Sequence, residues 1–318
     1  MTGDWQQRAI ESWRALAARG LRVRHGGVRA VEPRGLRAVP LWPLSQVLHA
    51  TASVADLDAG AVRTYDHLVD ALASYAAGPA YGERPRSTRR YFDDNAWVAL
   101  AMLRRGRARE AADVRLLLDF LRTGAVTQAD GSVGVRWVEG GEPLHACSTG
   151  ATGLVAAALG DADLARGCAR FLVALADDAG LVHDHRRPDG TTDPSHHVYN
   201  QGLAIGLHAV LGELDEARRL ADAAVTAYDV DALWREPAAF VGILLRELLA
   251  LHAVDADPRW PAYASAYLER VWAVARDPRS GLLSSGGIAR YDSGVLLDHA
   301  SLVTAMAALA GASDGASG

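Results

Sequence analysis

Cysteine is nearly absent. Only Cys147 and Cys168 occur in 318 residues, and they form neither a CxxC pair nor part of a His-rich segment. That excludes a disulfide framework and a cysteine zinc site, and leaves two reduced, buried thiols as the expectation. A charge of one sign is lacking as well. With 33 basic and 38 acidic residues the net charge is -5, so there is no basic stripe for a polyanion and nucleic acid is not an expected partner. No run approaches the roughly 18 apolar residues of a membrane-crossing helix. The N-terminus, MTGDWQQRAIESWRALAARG, has acidic and polar residues where an export signal needs a basic segment and then an apolar one. The expectation is a cytoplasmic protein without a membrane partner. The 11 histidines are scattered, His196-His197 being the single adjacent pair, and nothing else stands at metal-ligand spacing. Neither metal nor cofactor is expected.

What is present is helical periodicity. Half of the residues are hydrophobic, and they recur at 3.6-residue spacing over about twelve segments: 5–18, 42–53, 61–77, 93–105, 108–123, 148–159, 161–177, 198–211, 215–228, 238–253, 260–275 and 296–310. Short Gly-containing links at 106–107, 160 and 212–214 alternate with long ones, as they do in chains of helical hairpins. Segments such as GLAIGLHAVL and LVTAMAALA are apolar nearly all round, whereas EARRLADAAV and ARGCARFLVALA carry an arginine and acid face. This predicts an all-α fold in which six hairpins close into an (α/α)6 toroid, the first set inside and the second outside. A single domain covers residues 1–318, with 312–318 as a disordered tail. The long links and the N-termini of the inner helices fall on one face, where a site belongs.

On that face, YFDDNAWVALA opens an inner helix with Asp93, Asp94 and Asn95. One aspartate is accounted for as a helix cap; the second and the amide are not. Paired carboxylates at a cleft floor suit cleavage of a glycosidic bond, one as nucleophile or base and the other held protonated as acid. Local spacing leaves open which is which, and leaves the stereochemistry open too. A second segment, DPSHHVYNQGLAIG, opens another inner helix with Asp193, His197, Tyr199, Asn200 and Gln201, an aromatic surface beside neutral donors and acceptors that suits sugar hydroxyls. Capping is the competing reading of Asn200 and Gln201. Trp137, Trp42, Trp234, Tyr81 and Tyr291 lie in or beside the links and are candidates for ligand contact, although half of the eight tryptophans are expected in ordinary packing.

YFDDNAWVALA resembles the signature of glycoside hydrolase family 76, the endo-α-1,6-mannanase family, in which two aromatics precede Asp-Asp-Asn-Ala-Trp. LWPLSQVLHAT, GSVGVRWVEG, CSTGATGLVAAAL, TDPSHHVYNQGLAIG and FVGILLRELLAL are similar to later segments of that family in the same order, over roughly residues 40–310. The resemblance implies an (α/α)6 barrel and a retaining mechanism with Asp93 as nucleophile and Asp94 as general acid/base. It also implies sugar subsites lined by Trp137, Asp193, Tyr199, Asn200 and Gln201. Asn95, His197 and Tyr291 complete the candidate substrate contacts. The chain departs from the family in having no export signal, in its short loops, and in placing His197 and Val198 where an aromatic often precedes the YNQG segment. Those departures point toward short oligosaccharides as the partner. Other (α/α)6 sugar enzymes are the alternatives: a transglycosylase, a 2-epimerase or an unsaturated glucuronyl hydrolase. The epimerase needs two inner-face histidines, and only His197 and His208 are available.

Overall fold

The computed structural model describes residues 2–24, 27–33, 35–283 and 294–315. Its helices are α1 Thr2–Gly20, α2 Leu41–Val54, α3 Ala59–Ala71, α4 Phe92–Arg105, α5 Ala111–Gly124, α6 Ala146–Ala158, α7 Ala162–Ala174, α8 Val198–Val210, α9 Leu214–Ala227, α10 Val230–Leu233, α11 Ala238–Asp255, α12 Arg259–Arg270 and α13 Val295–Gly315. All but α10 correspond to an expected segment. That one is a single turn, capped by the Asp229 side chain on the Ala232 N–H, and is too short for periodicity to reveal. Because α13 continues to Gly315, the first residues of the expected tail are helical, with Ser313 Oγ bonded to the Leu309 carbonyl.

Helices α2, α4, α6, α8, α11 and α13 pack side by side in that order, and α13 returns to α2. The ring is closed. Outside it, α3, α5, α7, α9 and α12 each cover the inner helix that precedes them, while α1 covers α13 from the other end of the chain. This is an (α/α)6 barrel whose sixth hairpin is built from the two chain ends. The layers follow the sequence pattern. In α2 every residue except Trp42 is buried, whereas α9 buries only Ala217, Leu220, Ala221 and Ala224, the i, i+3, i+4, i+7 stripe of an outer helix. The chain contains no lysine, so arginines alone face the outer acids, and several lie over indoles, as Arg270 does over Trp234. Trp5, Trp13, Trp97 and Trp260 are core residues.

One expectation needs correcting. Among the described residues, Val295–Ser313 is long and apolar enough to cross a membrane, although no such run stands out in the sequence, because Asp298, His299, Ser301 and Thr304 interrupt it. In the barrel 72% of that window is buried, as befits an inner helix.

The long links are not structureless. Strands β1 Leu21–Arg24 and β2 Gly27–Ala30 form a hairpin, β3 Ala76–Ala77 and β4 Ala80–Tyr81 form another, and a five-stranded antiparallel sheet runs in chain order through β5 Ala125–Thr127, β6 Val133–Arg136, β7 Leu144–His145, β8 His183–Arg186 and β9 Thr192–His196. The β7–β8 pairing joins the link before α6 to the link before α8.

A recurring tether fixes these links to the barrel. The residues that open α4, α6 and α8 at the N-cap, Tyr91, His145 and His197, make no side-chain cap bond. Four residues on, a buried polar side chain reaches back to the N-cap carbonyl and out to the backbone of a link. Asn95 Nδ2 donates to Tyr91 O (2.8 Å) and Tyr81 O (3.0 Å), and Asn95 Oδ1 accepts from Tyr81 N (2.8 Å). Thr149 Oγ1 donates to His145 O and accepts from Val135 N. Gln201 Nε2 donates to His197 O (3.3 Å) and Val182 O (2.9 Å), and its Oε1 accepts from Val182 N (2.7 Å). Replacing Gln201 by Leu leaves both Val182 backbone groups unpaired in a buried place, at about 1–3 kcal/mol each. Chemical denaturation of Gln201→Leu is expected to show a loss of at least 2 kcal/mol, and an unchanged midpoint would refute the tether's importance.

Candidate active site

Asp93 and Asp94 occupy the first turn of α4, and neighbouring helical positions diverge by about 100°. The two carboxyls therefore meet different surroundings. β6 runs on past Arg136 along the start of α4, where Trp137 O accepts from Phe92 N (2.8 Å) and Tyr91 pairs with Val138. That places the Trp137 ring against Tyr91 (4.9 Å between centroids) and His145 (5.5 Å), and its Nε1 donates to Asp93 Oδ2 (3.1 Å). The Cys147 thiol, from the start of α6, approaches the same oxygen (3.7 Å). Asp93 Oδ1 is buried and has no hydrogen-bond partner among the described residues. Asp94, 9% exposed, has no hydrogen-bond donor on its carboxyl among the described residues.

The electrostatics separate accordingly. Burial pushes Asp93 up to about 6, and the bonds from Trp137, from the backbone and from Cys147 keep it from rising further. Burial, then the charges of Asp93 and Glu83, push Asp94 well above the ordinary carboxylate range. The arrangement makes the pair unequal: Asp93 gives up its proton more readily than Asp94. Burial likewise keeps the Cys147 thiol neutral, so it acts as a donor to Asp93.

A second polar group stands beside this pair. Asp184, on β8, accepts from His185 Nδ1 at Oδ2 (2.9 Å) and from Asn200 Nδ2 at Oδ1 (3.3 Å), with His145 Nδ1 at 3.6 Å and His197 Nε2 at 3.8 Å. A β-bulge between His183 and His185 lets the successive residues Asp184 and His185 both reach His145, whose ring stacks on His185 (4.5 Å). Tyr199 packs on Phe240 (4.3 Å) and His197 (5.8 Å), and its hydroxyl, like Cys147, feels the charges of both Asp184 and Asp93. His145, Cys147, Asp184, His185 and Phe240 were not singled out by sequence reasoning. The one available signal was an acid flanked by histidines, His183-Asp184-His185, in a long link just ahead of an inner helix.

The expected site residues thus divide. Asp93, Asp94, Trp137, His197, Tyr199 and Asn200 come together, and Asn200 Oδ1 is buried without a hydrogen-bond partner. Asn95 and Gln201 do not face substrate, since their amides are taken up by the tethers described above. Asp193 lies on the β8–β9 hairpin, where it binds Arg187 (2.5 Å) and Ser195 N (3.1 Å), a hairpin-shaping role. His208 is packing, buried and bonded to Glu213 (2.6 Å). Tyr291 lies outside the described residues.

No family model matches the sequence, and no curated protein matches it. Solved structures do. A family 76 glycoside hydrolase (mannosidase) from Bacteroides thetaiotaomicron superposes with a TM-score of 0.83 at 18% identity, over 98% of this chain and 100% of that one. The α-1,6-mannanase of Salegentibacter sp., solved with α-1,6-mannotriose as an inactive variant with two successive aspartates changed to asparagine, gives 0.81 at 18%, over 97% and 99%. The chain has the family 76 fold. A D-mannose isomerase is a more distant match, with a TM-score of 0.71 at 12% identity over 97% of this chain and 98% of that chain. The family 76 fold and the double aspartate therefore coincide in one molecule.

Two measurements test the acid pair. A carboxyl whose folded pKa is raised costs stability once pH exceeds its unfolded pKa, because folding must then take up a proton. Asp94→Asn removes that cost. It is expected to stabilise the protein at pH 7 and to give no such gain near pH 3, where the carboxyl is protonated in the folded and the unfolded chain alike; equal gain at both pH values would contradict the assignment. Trp137→Phe removes a donor from the Asp93 anion, so the acidic limb of the pH-rate profile is expected at higher pH than in the parent protein.

Proposed function

We propose that the protein is a retaining glycoside hydrolase acting on α-mannosides, with α-1,6-linked mannooligosaccharides as the substrate class. The observation that carries the reading is the unequal environment of two adjacent aspartates, Asp93 half-buried and Asp94 buried. One is supplied with donors and leaves a single oxygen free; the other has none and keeps its proton. The family 76 fold supports it, as do the mannosidase and mannanase named among the structures that share that fold.

In this reading the Asp93 carboxylate attacks the anomeric carbon while the glycosidic C–O bond breaks, and the departing oxygen takes the Asp94 proton. A glycosyl ester on Asp93 results. Water then gives a proton to the Asp94 carboxylate as its oxygen attacks the same carbon, which releases Asp93 and restores the starting protonation. Trp137 and Cys147 hold Asp93 Oδ2 and so fix the orientation of the carboxylate. Asp184, steadied by Asn200 and three histidines, presents acceptor oxygens to sugar hydroxyls, and Tyr199 offers an aromatic face.

Asp93→Asn is expected to abolish turnover of α-1,6-mannobiose and mannotriose. Asp94→Asn is expected to cost about 10²- to 10⁴-fold, with much less loss on a mannoside whose leaving group needs no proton. Proton NMR of the first-formed product is expected to show the α-anomer. A β-anomer would overturn retention. Conversion of free mannose to a ketose or an epimer, without hydrolysis, would move the chemistry to the histidines and favour an isomerase.

A further inference from the structure

Beside the acid-pair site, on the β8–β9 pair, lies a second cluster that the glycosidase reading does not use. His183 and His196 are register partners across β8 and β9, and their rings stack at 4.6 Å, inclined by 15°. Asp177 joins them from the turn closed by the Ala176–Val182 bridge. Each of the three offers one donor atom, and these atoms all lie within 4.8 Å of one another. His183 Nδ1 is buried and has no hydrogen-bond partner among the described residues, and His196 Nε2 is buried with Asp177 as its one close polar neighbour. Asp177 Oδ1 is already used by the N–H groups of Ala179 and Leu181, which orients Oδ2 toward His196 Nε2, 3.2 Å away.

We propose that Asp177, His183 and His196 form a binding site for a divalent transition metal of the zinc type, with water completing a tetrahedral shell. Two donors each about 2.0–2.1 Å from a tetrahedral ion stand about 3.3 Å apart, close to the spacing of Oδ2 and Nε2. A carboxylate with two neutral imidazoles is a donor set that zinc accepts readily. The other histidine cluster, His145, Asp184 and His185, is the weaker metal site, because Asp184 already receives His185 Nδ1 and Asn200 Nδ2. The proposed ion is a clip. It ties the turn after α7 to both strands of the hairpin, and the residue after each histidine, Asp184 and His197, belongs to the cluster beside Asp93.

The test uses the full, tag-free chain and zinc chloride as the probe. After incubation and gel filtration, elemental analysis is expected to find one zinc per chain in the parent protein, none in the His183→Gln/His196→Gln double variant, and one in His145→Gln/His185→Gln. Zinc is also expected to raise the Tm of the parent, and a chelator to reverse the rise. Substoichiometric zinc without a Tm response in the parent overturns the proposal whether or not any variant folds. Zinc retained by the first double variant, or lost from the second, overturns it equally.

Discussion

A polar side chain on the fourth residue after the N-cap, reaching out of the barrel to grip a link, is the constraint on which the rest of this structure depends. Helical hairpins alone close a ring of apolar helices, but they leave the connecting segments to water. Asn95, Thr149 and Gln201 convert three of those segments into part of the rigid body by saturating buried backbone groups at Tyr81, Val135 and Val182. His299 plays a related part near the start of α13, where its Nδ1 accepts from Leu283 N. Once the links are held, their strands can pair, and the five-stranded sheet that results brings Trp137, His145 and Asp184 together. The placement of the acid pair is thus inherited from side chains whose polar atoms are spent on backbone.

The barrel was legible because its signal is long and redundant. Apolar positions at 3.6-residue spacing, uniformly apolar inner helices and striped outer ones such as α9 all report the same layering, so errors at individual helix ends do not disturb it. The sheet was not legible. β7 is two residues long, β6 is four, and the β8 segment His183–Arg186 is polar and half-buried throughout, so neither alternation nor β-branching marks it. Its pairing comes from links about forty residues apart that only the closed ring brings together.

Within the site, legibility depended on whether a residue acts through its own type or through its surroundings. Two adjacent aspartates at a helix start are conspicuous wherever they occur. Asn95 and Gln201 were conspicuous for the same reason and were misassigned, because an amide that binds sugar and an amide that binds backbone have the same donors and acceptors. Burial decides between them, and burial at a helix N-terminus follows from where the preceding link folds. Asp184 and Cys147 fail in the opposite direction. Each is an unremarkable residue in its own segment, and each acquires a role only from the β7–β8 pairing and the α4–α6 contact.

The difference between Asp93 and Asp94 is likewise made by tertiary structure rather than by either residue. On an isolated helix both would be solvated first-turn acids, stabilised alike by the helix dipole. In the barrel, one turns toward the β6 extension and meets an indole N–H and a thiol, while the other turns away from those donors and meets the fields of Asp93 and Glu83. Exchanging the two side chains' surroundings would exchange their protonation. The link between α5 and α6, which carries Trp137, therefore selects which aspartate is supplied with donors, and the tether at Thr149 on Val135, two residues before Trp137, selects where that link lies.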